Sequence, residues 1–261
     1  MNPLIQIGIA LVAAMGLMVI LWLASLWLRN SSIVDVFWGP TFLVQAAVYA
    51  AITDGSPARA TLVLVLVAIW STRLALHIAT RNAGKGEDYR YAAWRKEAGD
   101  AWWWRSFFKV FALQGLLSWF IGLPLFVAMA GGPENLTWLD AIGVGLWAIG
   151  FFFEAVGDWQ LRAWIADPAN KGKTLRTGLW HYTRHPNYFG DAAQWWAFWL
   201  IAVAAGGWWT ILSPIAMTFL LVRVSGVGML EKTIPERRPD YADYMETTSA
   251  FIPWPPRRQR D

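Results

Sequence analysis

The chain has 261 residues, 56% of them hydrophobic and only 15% charged, with a net charge of +4, 20 Trp and no Cys. The lack of Cys excludes disulfides, thiolate catalysis and Cys-based metal sites. Repeated apolar runs near twenty residues long exceed what a soluble core of this size needs and read as membrane-spanning helices.

In chain order, these runs predict seven spans, at 4–28, 33–52, 60–79, 107–130, 138–161, 188–205 and 208–228. No basic n-region precedes the first run, so Leu4–Leu28 reads as a span and not as a cleaved signal. The loop 80–106 carries Arg81, Lys85, Arg90, Arg95, Lys96 and Arg105; the loop 162–187 carries Arg162, Lys171, Lys173, Arg176 and Arg184; the tail is equally basic. By contrast, 131–138 holds Glu134 and no Lys or Arg, and Gly206-Gly207 is uncharged. The positive-inside rule then places the N-terminus outside and the C-terminus in the cytoplasm, a parity that seven spans satisfy. Charge grouped this way reports orientation, not nucleic-acid binding. The expected fold is an all-α polytopic membrane helix bundle of seven transmembrane helices, one integral-membrane domain over 1–261 with no internal repeat. Trp-rich ends fit the aromatic belts of membrane interfaces.

Polar groups inside spans are costly and face a bundle interior or a cavity. Asp35 opens the second span, and Trp38, Phe42 and Gln45 continue its face at helical spacing. A helix cap and a carboxyl in an apolar pocket both fit Asp35; in the pocket, desolvation favours the protonated acid, which can donate to a ligand oxygen. Glu154, Asp158 and Arg162 recur every fourth residue of the fifth span, as an intrahelical charge ladder or as one wall of a polar site. Arg73 and Arg223 either snorkel to headgroups or face inward.

The most polar run lying against an apolar one is Gly178–Asp191, with Arg184, His185, Asn187, Tyr188 and Asp191 within eight residues. Pro186 stands where a helix would begin, since the first turn tolerates its missing N–H. Free N–H groups there, beside Arg184 and His185, suit an anion, and Asn187, Asp191 and Trp195 share one helix face. Gly143-Val-Gly145 matches part of a dinucleotide fingerprint but sits in mid-span without its strand–turn–helix context. The three His (His77, His181, His185) have no metal-ligand spacing, so no metal is expected. The polar groups gather at the cytoplasmic ends of their spans. That placement favours an enzyme joining a soluble, anionic cofactor to a hydrophobic substrate that enters from the bilayer.

Thr177-Gly-Leu-Trp180 with Arg184-His-Pro-Asn-Tyr-Phe-Gly-Asp191, followed by the tail from Glu231-Lys232 through Tyr241 and Tyr244 to Pro253-Trp254, resembles the signature of membrane steroid 5α-reductases and sterol reductases. A looser form occurs in isoprenylcysteine carboxyl methyltransferases. The resemblance is carried by 150–255 and is positional before that. It implies a bacterial-type, multi-pass reductase of the inner membrane with its active site open to the cytoplasm, working as a monomer among membrane lipids. It implies NADPH held by Asp158, Arg162, Asn187, Asp191 and Arg223, with Arg176, Arg184 and His185 beside them and Tyr188, Lys232 and Tyr244 in the same role. Arg162, Arg176 and Arg223 are the candidate partners of a 2′-phosphate. Asp35 matches the acid that holds the substrate's 3-ketone, Trp38 and Trp195 flank a flat steroid-like substrate, and Trp70 falls where the family has a tyrosine. The reaction implied is reduction of the C4–C5 double bond of a 3-oxo-Δ4 steroid or similar lipid enone. The rivals are an S-adenosylmethionine-dependent membrane methyltransferase, which shares the Arg-His-Pro run, and a non-enzymatic transporter or lipid-binding bundle.

Overall fold

The computed structural model describes residues 1–224, 226–228, 231, 234, 238 and 240–257, and among these every regular element is helical. The chain divides into two compact units, one of 1–137 with 202–210 and one of 138–201 with 211–261.

In the first unit, α1 (Pro3–Leu28) opens on Asn2, whose side chain accepts from the Leu4 N–H, and closes on Arg29, whose φ of 50° turns the chain. The expected second span is broken. Ile33–Val36 forms a short α2, and α3 (Trp38–Ile52) starts after Phe37, which sits at φ −93° and ψ 4°. Pro40 explains the break: it has no N–H to offer the Val36 carbonyl, so the ladder cannot run through. α4 (Pro57–Asn82) begins on Ser56, whose hydroxyl accepts from the Arg59 N–H. α3 and α4 approach closely at Gly39, where a Cβ would lie 3.0 Å from Ser71 Cα. Arg59 is wholly buried and donates to the Pro133 and Asn135 carbonyls at 3.0 and 3.1 Å, which fixes the turn after the fourth apolar run.

The region 80–106, expected as a basic loop, is mostly helical. α5 (Tyr89–Ala98) is capped by Asp88, whose carboxylate accepts from Arg90 N, and ends at Gly99 with φ 54°. α6 (Trp102–Ser106), a π-helical turn over Phe107–Ala112, α7 (Leu113–Ile121) and α8 (Leu123–Ala130) follow with a joint at Gly122. A charged helix with a good N-cap and Arg95 and Lys96 in its last turn is self-sufficient, so polarity alone did not mark a loop. The core here joins Met18, Leu21 and Val34 to Tyr91, Trp102, Val110 and Phe111.

In the second unit, α9 (Trp138–Ala166) packs on α10 (Pro186–Ala204), which begins at the expected proline. Their contact runs along Gly143, Gly150 and Gly157. A Cβ on Gly143 would lie 2.6 Å from Ile201 Cγ1, one on Gly150 2.6 Å from Gly190 O, and one on Gly157 3.1 Å from Pro186 Cγ. Small residues two turns apart let helix backbones close on each other, which is what holds helices together where lipid offers no hydrophobic drive. Gly143 is therefore a packing residue. α11 (Leu212–Phe219), a π-helical turn over Leu220–Val224 and α12 (Tyr241–Thr247) complete the unit.

Among the described residues, four helical stretches are long and apolar enough to cross a membrane: Pro3–Leu28, Pro57–Asn82, Tyr89–Ala130 and Trp138–Ala166; Trp38–Ile52 and Trp208–Val224 are apolar but shorter. The described residues are thus all-helical, with long apolar helices consistent with a membrane protein. α10, expected as a span over 188–205, is not among the four, because its inner face carries Asn187, Asp191 and Gln194.

Candidate functional site

The run 178–191 is a folded turn locked onto α9 and onto the C-terminal segment. Gly178 adopts φ +63° against the Gln160 amide, a conformation and an approach that leave no room for a side chain. Gln160 Oε1 accepts from Leu179 N at 3.0 Å, and Trp180 Nε1 donates to Gly157 O at 3.1 Å. The chain then enters α10 at Pro186, which sets Asn187 against α9: Asn187 Nδ2 donates to Asp158 Oδ1 at 3.0 Å. Two turns further into the bundle, Gln194 Nε2 donates to Glu154 Oε2 at 2.7 Å. Two carboxylates of the α9 ladder are thus engaged by side chains of α10. Asp191 is buried between these levels and Trp195 wholly so, while Arg162 and Arg223 are exposed. Arg223 lies in the π-helical turn, a distortion that recurs at functional sites.

Arg184 and His185 face another way. Arg184 Nε and Nη2 form a two-pronged pair with Glu231 at 2.7 and 2.9 Å, and Nη1 donates to the Met245 and Thr248 carbonyls. His185 Nε2 stands 3.1 Å from Glu231 Oε1, its ring stacked on Tyr188 at 5.5 Å, and the Tyr241 hydroxyl donates to the same carboxylate at 3.3 Å. Burial alone would lift the Glu231 carboxyl; the hydrogen bonds from His185 and Arg184 outweigh it and hold it at about 2. Tyr244 is buried with its hydroxyl on the Trp180 carbonyl, and burial raises its pKa above the usual phenol range. Arg176 donates to the Asp240 carbonyl and lies over the Tyr244 ring. These groups clasp the tail to the 178–185 turn. Lys232 lies outside the described residues.

Asp35 belongs to the first unit. Tyr91, on α5, donates its hydroxyl to Asp35 Oδ1 at 2.6 Å, and Arg90 Nη2 stands 3.2 Å from Oδ2 while its Nε binds Asp88 at 2.9 Å. Gln114 Nε2 lies 3.4 Å from the Tyr91 hydroxyl. The turn that carries Asp35 is itself fixed, with Ser31 N on Glu87 Oε1 at 2.6 Å and Arg95 forked onto the same carboxylate. Trp38 is half-buried in edge contact with Phe42 at 5.2 Å, and wholly buried Trp70 meets Phe42 at 5.7 Å. The tyrosine that reaches Asp35 is Tyr91. Sequence reasoning missed it because 56 residues separate the two and Tyr91 sits in a stretch read as loop. Glu231 had a signal, standing in the quoted tail pattern, but its partner could not be read from spacing.

The family model described as a protein of unknown function, DUF1295, matches residues 21–248. An uncharacterized protein of Schizosaccharomyces pombe is 27% identical over 285 residues, covering 97% of this chain and 80% of its own length. No solved structure matches.

Proposed function

The chain belongs to the DUF1295 family, and from that premise we propose that it is a multi-pass membrane reductase of the steroid 5α-reductase type, reducing the C4–C5 double bond of a 3-oxo-Δ4 steroid or similar lipid enone with NADPH. The observation that carries this reading is the Tyr91–Asp35 hydrogen bond of 2.6 Å beside Trp38 and Phe42. Adding hydride to an enone drives charge onto its carbonyl oxygen, and a fixed O–H donor at that oxygen lowers the barrier. The acid–phenol pair offers such a hydrogen, Arg90 adds positive charge beside it, and the surrounding rings exclude water from a flat substrate.

The donor set of the second unit fits a dinucleotide. Arg162 and Arg223 offer exposed cations to phosphates, and the Asn187–Asp158 pair offers both donor and acceptor to a ribose or a carboxamide. Arg176, Tyr188, Asp191 and Trp195 complete the proposed cofactor wall, and Arg184, His185 and Tyr244 act through the turn they clasp. NADPH when bound supplies the hydride; the protein supplies position and polarisation. In a bacterium such a chain would lie in the inner membrane, with the 162–187 segment and the tail in the cytoplasm by their charge.

Turnover of a 3-oxo-Δ4 steroid with NADPH tests this. Asp35→Ala loses about a hundredfold or more in kcat with NADPH affinity unchanged, and Asn187→Ala loses NADPH affinity. Unaltered turnover in both variants contradicts the assignment.

A further inference from the structure

An exposed stripe on α9 leads to a pocket that the reaction above does not use. Trp138, Ile142, Gly145, Ile149 and Phe152 are all exposed and follow one another by steps of three and four residues, so they share one face. A Cβ on Gly145 would meet nothing within 4 Å, which leaves the stripe open at its middle. The stripe starts at Trp138, 71% exposed, and continues to Trp159, 65% exposed. From one ring to the other is about 32 Å along the helix axis, close to the ~30 Å hydrocarbon core of a bilayer. Tryptophans mark both edges of that layer, so whatever follows Trp159 stands at headgroup level.

A pocket of about 270 Å³ opens there, between the last turns of α9 and the segment after it. Trp159, Trp164 and Leu175 are its apolar walls, and Asp167 is the one charged residue lining it among the described residues. Hydrogen bonds fold the segment back onto the helix. Asn170 Nδ2 donates to the Trp164 carbonyl at 3.1 Å, Trp164 Nε1 donates to the Lys173 carbonyl at 3.5 Å, and Asp167 Oδ1 accepts from Ala169 N at 2.9 Å. The other carboxylate oxygen of Asp167 and Asn170 Oδ1 are left as acceptors. Lys171 and Lys173 are exposed on the same turn. The pocket shares no residue with the proposed cofactor wall.

We propose that this pocket binds the ammonium group of a zwitterionic phospholipid whose acyl chain lies along the α9 stripe. Indole rings and a carboxylate select a cation together, the rings through their electron-rich faces and the acid through its charge. Lys171 and Lys173 stand beside the pocket to meet the phosphate, which a headgroup of this kind carries two carbons from its nitrogen. A headgroup that ends in uncharged hydroxyls gives the rings and Asp167 no cation. A soluble ammonium compound has no chain to lay on the stripe. Ethanolamine and choline lipids share the required chemistry. They differ in that ethanolamine adds N–H donors for Asp167 and Asn170, whereas choline relies on the ring faces.

Native mass spectrometry of the full-length protein in detergent, titrated with phosphatidylethanolamine, phosphatidylcholine or phosphatidylglycerol of matched chains, tests it. The two ammonium lipids bind about tenfold tighter than phosphatidylglycerol, the combined worth of a cation–π contact and a partly solvated ion pair. Their order relative to each other tells whether N–H donation or the ring faces dominate. Asp167→Asn keeps the acceptor for Ala169 N and loses the preference over phosphatidylglycerol. Trp159→Leu keeps an apolar wall and reduces that preference. Replacing Lys171 and Lys173 together by Gln weakens all three lipids alike. Glycerophosphoethanolamine, the same headgroup without chains, binds more weakly than the intact lipid. Equal affinity for the three lipids in wild type, tighter binding of phosphatidylglycerol, a preference that survives Asp167→Asn, or chain-free headgroup binding as tight as the lipid overturns the proposal.

Discussion

Two arginine–carboxylate pairs in this protein look alike in sequence and differ in what surrounds them. Arg184 and Glu231 are 7% and 14% exposed at the side chain, and four of the five guanidinium N–H groups are taken by the carboxylate and two carbonyls. Arg90 and Asp35 are 28% and 19% exposed, they touch at 3.2 Å, and the acid shares its second oxygen with a phenol. An enclosed pair with most of its donors taken serves to hold chain segments together. A partly open pair with an exchangeable O–H retains chemistry. The contrast separates residues that build the site from residues that act in it, although Arg184 and Asp35 both stand among the candidate residues of the sequence.

The largest effect that would break this contrast comes from emptying the closed pair. Glu231→Leu leaves the Arg184 guanidinium buried and uncompensated, and costs about 3–5 kcal/mol of stability, read as a lowered thermal midpoint and faster proteolysis of the tail. Arg90→Met costs less by the same measure, since a partly solvated pair contributes less than an enclosed one. Equal losses would erase the distinction. A smaller effect lies at the helix contact. A Cβ on Gly190 would stand 2.4 Å from Glu154 N and from Gly150 O, both backbone, so Gly190→Ala costs about 1–3 kcal/mol as overpacking and weakens cofactor binding by spreading α9 from Asn187. A stability no different from wild type would remove the register described here. The smallest effect is with pH. The Glu231 carboxyl is held at about 2 in the folded protein against an ordinary 4.5. Its contribution is therefore complete above about 4.5 and fades as pH falls toward 2. Tail proteolysis should stay slow down to pH 4 and accelerate below it, and Glu231→Gln should lose that pH dependence.

The sequence revealed what is local and periodic. Pro186 marked the start of α10 because a missing N–H is tolerated only there, and the four-residue spacing of Glu154 and Asp158 correctly gave them one face of α9. It hid whatever depends on a distant partner. The break at Phe37 required weighing Pro40 against an apolar run that otherwise read as continuous. The helices over Tyr89–Ser106 lay behind a charge count. Tyr91 was invisible as a partner of Asp35 because no spacing rule links residues on α2 and α5. Arg184 read as an anion ligand because its position beside a helix start is the same whether it faces a phosphate or Glu231.

The central claim, hydride transfer from a nicotinamide cofactor and not methyl transfer, is tested most directly by titrating the purified protein in detergent with NADPH and with S-adenosylmethionine, in wild type and in Asn187→Ala. The account predicts saturable NADPH binding that weakens in the variant and no binding of S-adenosylmethionine. Binding of S-adenosylmethionine alone would contradict it.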